Sequence, residues 1–383
     1  MEELYYGGLL LFTLLFTFKA LLTVCYWRKR RLQEEAFCEN SQKDFTVVQP
    51  ILSGDPTLEN NLTENLENLQ QVKFIWLLDE TDYDAKSIIQ RIMAKYPQDS
   101  ARVTVLEINE IPANLNPKVY KLAQAMPYLD QYTIILDDDT VVGPQSLQLA
   151  VGKMAEESLI TGIPIYKNQK GLFSKLVAAF VNANSLFTYL PMALLAEPKT
   201  INGMYYTTST ALLKRLDAFP QIVDKLCDDY EIAKLFRDHN IPIVQSITPC
   251  MIQTTVEGVA HYQKLMKRWM VFANQFLKEN LSFTVLLIVI LPSFMPLVML
   301  LFSAALGGKF AMVFLVTHFV KAAGYSYIRN MLIGNKKVLM NPCYEMAADY
   351  LQVFHFIHGA LFSKKIQWRT RTVKIDKDKV VAG

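Results

Sequence analysis

The stretch Tyr132-Thr133-Ile134-Ile135-Leu136-Asp137-Asp138-Asp139 decides the fold. Five mostly apolar and β-branched residues run straight into three carboxylates. A short apolar run of this kind predicts a strand buried on both faces, as in a parallel sheet covered by helices. Acids at its carboxyl end lie where open α/β sheets bind their ligands.

Outward from there the pattern alternates. Residues 45–48, 72–78 and 102–108 have strand character, and 72–78 ends at Asp79 in the same way. Residues 59–70, 84–96 and 115–126 have helical periodicity, with Leu62, Leu66 and Leu69 on one face. Together these predict an α/β, Rossmann-like domain with a mostly parallel sheet over about 44–276.

The ends of the chain differ in character. Residues 5–27 form an apolar run whose only charge is Lys19, followed by Arg28-Lys29-Arg30-Arg31. About 20 apolar residues cross a bilayer. The basic cluster comes after the run, so the segment is expected to be a signal-anchor with the following chain cytosolic. Residues 1–31 are therefore expected to be an N-terminal membrane anchor and its basic flank. Two more spans are expected at 281–302, with Pro292 and Pro296 as kinks, and at about 310–327. The next loop carries Arg329, Lys336 and Lys337. Residues 345–362 contain Asp349, Gln352, His355 and His358 and are flanked by Lys364, Lys365, Arg369 and Arg371. They suit an interfacial or re-entrant helix better than a fourth crossing. Residues 172–196 suit an amphipathic helix on the bilayer or a buried core helix. Membrane segments thus occupy 281–362, and 363–383 is a basic cytosolic tail.

The chain has 383 residues, a net charge of +3 and five cysteines without a CxxC pair. The low charge does not suggest a nucleic-acid partner, and odd, scattered cysteines fit neither a disulfide framework nor a zinc site. His355 and His358 lack a third ligand and are taken as non-ligands.

Three carboxylates in a row repel one another unless a cation is present. Asp137 and Asp139 alternate along an extended chain and so face the same way. All-oxygen ligands suit Mg2+ or Mn2+, which often bind a diphosphate as well. Asp137-x-Asp139-x-Val141 also fits the nucleophile motif of haloacid-dehalogenase-type phosphohydrolases. That chemistry adds a Gly-Asp motif downstream, whereas here Cys227 precedes Asp228-Asp229-Tyr230. Those acids open a helix, where carboxylates serve either as caps or as a general base. Arg268-Trp269 lies in a basic amphipathic stretch that suits a diphosphate, a sugar face or a membrane interface.

Taken in order, these pieces resemble the ceramide glucosyltransferase family, glycosyltransferase family 21, of GT-A fold. The resemblance rests on the anchor, Gln49-Pro50, Asp55-Pro56-x-Leu58-Glu59-x-Asn61-Leu62, Leu78-Asp79-Glu80-x-Asp82 and Asn116-Pro117-Lys118. It continues through the aspartate triplet, Asn202-Gly203-Met204, Asp228-Asp229-Tyr230, Arg268-Trp269 and Trp368-Arg369-Thr370. It implies a multi-pass membrane enzyme of the bacterial inner membrane or Golgi with its catalytic domain in the cytosol. Its reaction would be an inverting, metal-dependent transfer of a sugar, glucose first, from a UDP-sugar to a membrane lipid such as ceramide. N-acetylglucosamine and a hopanoid acceptor are the alternatives, and a phosphohydrolase or an inactive lipid-binding protein the more distant ones.

The resemblance also assigns roles. Asp229 is the base. Asp79, Asp137, Arg268 and Trp269 bind the nucleotide-sugar, and Asp137 and Asp139 hold Mg2+ or Mn2+. Apart from the resemblance, the charge of Lys118 makes it a further nucleotide-sugar-binding residue, expected beside the diphosphate with Arg268. One position departs: the polar first residue of the family's (Gln/Arg)xxArgTrp motif falls on Leu265, with Gln263 two residues earlier.

Overall fold

In the computed structural model a long helix, Glu2–Ala36 (α1), is followed by a sheet whose first half is the predicted one. The structure describes residues 1–36, 45–144, 146, 156–167, 170–334, 341–361, 365–368, 371–376 and 379–381. Cys38, Lys336, Lys337, Lys364 and the Arg369-Thr370 pair lie outside the described residues. Contacts divide the chain into two compact units, each assembled from three separate segments.

The first unit to consider comprises Arg31–Pro164, Pro198–Thr255 and Lys364–Gly383. Its strands Phe45–Pro50 (β1), Lys73–Asp79 (β2), Val103–Ile108 (β3) and Tyr132–Leu136 (β4) are mutually parallel in the order β3-β2-β1-β4. Their side chains alternate between two cores. Val47, Phe74, Trp76, Leu78, Ile134 and Leu136 meet Leu62, Leu66, Ile89 and Ile92 from helices Leu58–Asn68 (α2) and Tyr83–Lys95 (α3). Val48, Ile75, Leu77 and Ile135 meet Val119, Leu122 and Ala125 of Pro117–Ala125 (α4) on the other face. Strands that bury both faces have no polar register, which is why they read as continuous apolar runs.

Beyond β4 the sheet changes direction. Thr140–Val141 (β5), Leu159–Tyr166 (β6), Tyr205–Ser209 (β7) and Ile243–Ile252 (β8) complete the order β3-β2-β1-β4-β7-β6-β8-β5. β7 is antiparallel to β4 and β6, and β5 is antiparallel to β8. The strand order reverses at β1 and β4, so their carboxyl ends open a crevice.

The helical unit comprises Met1–Arg30, Ile165–Glu197 and Val256–Ser363. It contains most of α1 with Leu172–Leu195 (α5), Gly258–Asn280, Phe283–Leu306, Gly308–Ile333 and Pro342–Leu361. Between α5 and Gly258–Asn280 come Thr210–Arg215 (α6), Ala218–Ile222 (α7) and Asp228–Asp238 (α8), which belong to the sheet unit. The later helices are accordingly α9, α10, α11 and α12. The expected 44–276 segment therefore contributes α5 and most of α9 to the helical unit. By length and composition α1, α5, α10 and α11 are able to cross a membrane.

α1 and α11 run parallel. Tyr5 donates to the carbonyl of Phe310 at 2.9 Å, Phe12 packs on Phe314, and Tyr325 donates to the carbonyl of Phe16 at 2.8 Å. Buried polar bonds lock α12 to α11. Asp349 accepts from His318 at 2.8 Å and from Lys321 at 2.6 Å, and Arg329 meets Glu345 at 2.6 Å. Arg329 also donates to the carbonyl of Asn182 in α5.

Residues 365–381 form three antiparallel strands, Lys365–Trp368 (β9), Arg371–Asp376 (β10) and Lys379–Val381 (β11). The segment expected as a tail alternates apolar and polar residues through Ile366, Trp368, Val373 and Ile375, which is a strand period. β11 attaches to the sheet unit. The N–H of Val380 donates to the carbonyl of Asp224 at 2.9 Å, and Lys379 meets the Asp224 carboxylate at 2.6 Å.

Candidate functional site

The crevice at the carboxyl ends of β1, β2 and β4 collects acids. Asp79 ends β2, and Asp137 follows β4 directly. After β4 the chain turns tightly, with the N–H of Thr140 donating to the carbonyl of Asp137. The three aspartates then separate by role. Asp138 is buried, and its carboxylate accepts from the N–H of Leu52 at 2.9 Å, which fixes the chain after β1. Asp137 and Asp139 are each half-buried on either side of it. Asp139 accepts from the hydroxyls of Thr140 and Thr254 at 3.1 and 2.8 Å.

Asp137 is held by Lys118. The ammonium lies 2.7 Å from Asp137 and 3.1 Å from Asp228, and donates to the carbonyl of Gly203 at 3.0 Å. α4 presents this lysine from a firm start. The buried Asn116 caps it by accepting from the N–H groups of Lys118 and Val119, and Pro117 takes the first helical position. The Asn116 amide donates to the carbonyls of Lys225 and Leu226 at 3.0 and 3.4 Å. One residue thus caps α4 and ties down the segment leading to Cys227 and the acids of α8.

Asp229 lies in the first turn of α8. One of its oxygens accepts from the Cys227 thiol and from the N–H of Tyr230, both at 2.8 Å. Gly203 packs flat against it. A Cβ at position 203 would stand 2.9 Å from the Asp229 Cβ and 3.2 Å from its second oxygen. Burial, and then the neighbouring Asp228, push the Asp229 carboxyl up to about 6. Burial also raises Asp137 in spite of Lys118. Lys118 itself is held well above its usual value, because Asp137 and Asp228 outweigh its burial. The two upward shifts have different causes: burial raises Asp137, whereas the two paired carboxylates raise Lys118, in a cluster that also holds Asp229 and so has an excess of negative charge.

Asp79 pairs with Lys121 at 3.3 Å, one helical turn along α4 from Lys118. Lys121 also donates to the carbonyl of Ile51, and burial lowers its pKa. Lys121 is not marked by the sequence motifs; Cys227, Gly203 and Asp228 lie within them, Asp228 as a cap or general-base candidate, but without the contacts that the structure gives them. The i, i+3 spacing of Lys118 and Lys121 after Asn116-Pro117 was the available signal for the first of these. Arg268 and Trp269 lie half-buried in α9 of the helical unit, where Trp269 stacks on Phe180 at a centroid distance of 6.2 Å. Leu265 is half-buried and Gln263 exposed on the same helix. His355 is bonded to the Tyr262 hydroxyl at 2.8 Å. Among the described residues no group of three or more His, Cys, Asp or Glu side chains is gathered to hold a metal.

No curated protein sequence matches the chain. Among solved structures, a mannosyltransferase from Pyrobaculum calidifontis in complex with GDP-Man and Mn2+ is similar. It is 16% identical over 91% of this chain and 99% of its own, at a TM-score of 0.49. S. aureus TarS (residues 1–349), in complex with UDP-GlcNAc, is 14% identical over 89% of this chain and 99% of its own, at a TM-score of 0.38. The sequence model of glycosyl transferase family 21 matches residues 10–381, nearly the whole chain. This chain, with its GT-A sheet and its acids at the strand ends, belongs to glycosyl transferase family 21 and is a glycosyltransferase.

Proposed function

We propose that the protein transfers a sugar, glucose first, from a UDP-sugar to the hydroxyl of a membrane lipid such as ceramide, with inversion at the anomeric carbon. The observation that carries this reading is the single cluster Asp137–Lys118–Asp228–Asp229. It ties an acid at the end of β4 to a carboxylate poised to take a proton near neutrality. Family membership removes the phosphohydrolase alternative.

In this reading the lipid hydroxyl oxygen attacks the anomeric carbon. The bond from that carbon to the diphosphate oxygen breaks, and UDP leaves with the bonding pair. The hydroxyl proton passes to Asp229. Its bonded oxygen is fixed by Cys227 and Tyr230, which leaves the second oxygen for the proton. Asp79 serves the nucleotide base, and Arg268 and Trp269 serve substrate binding.

Asp137 and Asp139 would hold Mg2+ or Mn2+. The residues fit such a group: the cluster has carboxylates in excess of its one ammonium, and two half-buried carboxylates make an open site. Mg2+ characteristically binds through one or two carboxylates and substrate phosphates. Such an ion supplies charge stabilisation for the departing diphosphate. The test is Asp229→Asn in purified protein given UDP-glucose or UDP-N-acetylglucosamine with a lipid panel. Transfer is expected to fall about 10²-fold or more, and undiminished transfer would reject the assignment.

The membrane arrangement follows the same reading. α1, α10 and α11 cross, and the parallel α1 and α11 both enter from the outer side. α5 is read as not crossing, because a crossing there would put Asp137 and Asp229 on opposite sides of the bilayer; the bonds of its Asn182 to the backbone of Tyr166 and to Arg329 support a buried helix. α12 has both ends on the cytosolic side. Glu345 meets Arg329 near the inner end of α11, and Gly359 packs on Met270 of α9. A cysteine placed at Gly307 is expected to react with an impermeant maleimide from outside, and one at Leu195 only after permeabilisation. Labelling of both from the same side would reject this topology.

A further inference from the structure

Lys118 was expected to add positive charge at the donor diphosphate, yet its ammonium already has three close partners: two carboxylates in ion pairs and one carbonyl that accepts a hydrogen bond. An ammonium has three donors. Here Asp137, Asp228 and the Gly203 carbonyl lie at 2.7, 3.1 and 3.0 Å, and the side chain is 14% exposed. A donor phosphate would have to compete with these contacts for a mostly buried ammonium.

The three partners lie on different parts of the site. Asp137 stands at the metal and diphosphate end. Asp228 is the residue before the base on α8. Gly203 is the surface against which Asp229 rests, with a Cβ there clashing at 2.9 Å. Resting on the reading of Asp229 as base, we infer that Lys118 is a positioning residue. It ties Asp137 to Asp229 through Asp228 and Gly203, and it does not contact the donor.

The geometry gives this arrangement a direction. A charge arriving at Asp137 competes with Lys118 for that carboxylate, while Asp228 and the Gly203 carbonyl keep the ammonium beside the base. Occupancy at the diphosphate end is thereby communicated to the chain that packs on Asp229. Pairing in a low-dielectric site makes such competition strong. The Gly203 contact adds a steric arm, since no other residue leaves room for Asp229 in this position.

The experiment uses the full chain in lipid nanodiscs containing ceramide. Lys118→Met, Lys118→Gln, Lys118→Arg and Gly203→Ala are compared with wild type by two readouts. One is calorimetric binding of UDP in the presence of Mn2+. The other is UDP release from UDP-glucose. Lys118→Met and Lys118→Gln are expected to bind UDP within threefold of wild type, to keep donor KM within threefold and to lose at least 100-fold in kcat. Arginine is expected to recover part of that loss, and Gly203→Ala to share the kcat signature with unchanged UDP binding. A tenfold loss of UDP affinity or rise in donor KM, with kcat within threefold, would make Lys118 a donor contact and overturn the proposal. Wild-type kcat in Gly203→Ala would overturn the route through Gly203. Asp229→Asn in the same assay separates the two claims: its activity would reject the base, while the UDP titration still reads Lys118.

Discussion

At the scale of single residues, the site is a problem of excess negative charge solved by burial and hydrogen bonds. A base with its carboxyl pushed up to about 6 is ionised above that pH and protonated below it. The rate is therefore expected to be flat above about pH 6 and to fall as pH drops through it, as a kcat–pH profile will show. The Cys227 thiol favours the ionised form of Asp229. Cys227→Ala is expected to move the fall to higher pH, and Cys227→Ser to leave it near wild type. An unmoved profile in the alanine variant would mean the thiol is only filler. The sequence shows Asp79, Asp137, Asp139 and Asp229 because strand ends and helix starts are visible in it. Gly203 and Lys121 act through contacts between distant parts of the chain, Gly203 with Asp229 and with Lys118, Lys121 with Asp79, and no local pattern marks such pairings. Cys227 is only two positions from Asp229, but its bond depends on how the turn into α8 folds. Asp138 shows the same limit, since its bond to Leu52 spans 86 positions.

At the scale of elements, the start of α4 and the strand β11 converge on residues 223–226. The N–H of Asn116 donates to the carbonyl of Val223 at 2.7 Å, and its side-chain amide donates to the carbonyls of Lys225 and Leu226. Asn116→Ala is expected to destabilise the sheet unit by about 1–3 kcal/mol, combining a lost cap with stranded buried carbonyls. A thermal unfolding midpoint unchanged from wild type would contradict that. Deleting residues 377–383 removes the Val380 and Lys379 bonds to Asp224. This is expected to lower kcat more than stability, because the freed segment leads into Cys227 and Asp229. The parallel strands were legible as apolar runs that alternate between two cores. β6 to β8 were not, because β7 is Tyr205, Tyr206, Thr207, Thr208 and Ser209, fully buried yet largely polar. β6 carries Gly162 and Pro164, which argue against a strand on propensity alone.

At the scale of the molecule, the helical unit is held by polar pairs in an apolar setting. Arg329 and Glu345 are buried, and removing one leaves the other without its partner. Arg329→Met is expected to cost roughly 3–5 kcal/mol, and the double variant with Glu345→Met considerably less. Unfolding in detergent, followed by tryptophan fluorescence, reads the difference; equal losses would reject the pair as the cause. Hydropathy located α1, α10 and α11, since their apolar length is local. It did not reveal that α5 and α9 share a unit with them, because that depends on which faces meet after folding. Each unit is stitched from three stretches of chain, and each includes a piece from near the carboxyl end. During synthesis α1 emerges with Lys19, which is buried in the folded unit, long before α11 exists to cover it. Likewise the strands of the sheet emerge before β11 can secure residues 224 and 225. Neither unit can complete its packing until its own carboxyl-terminal piece has emerged. Termination before these late segments is therefore expected to leave both units incomplete and exposed to quality control together.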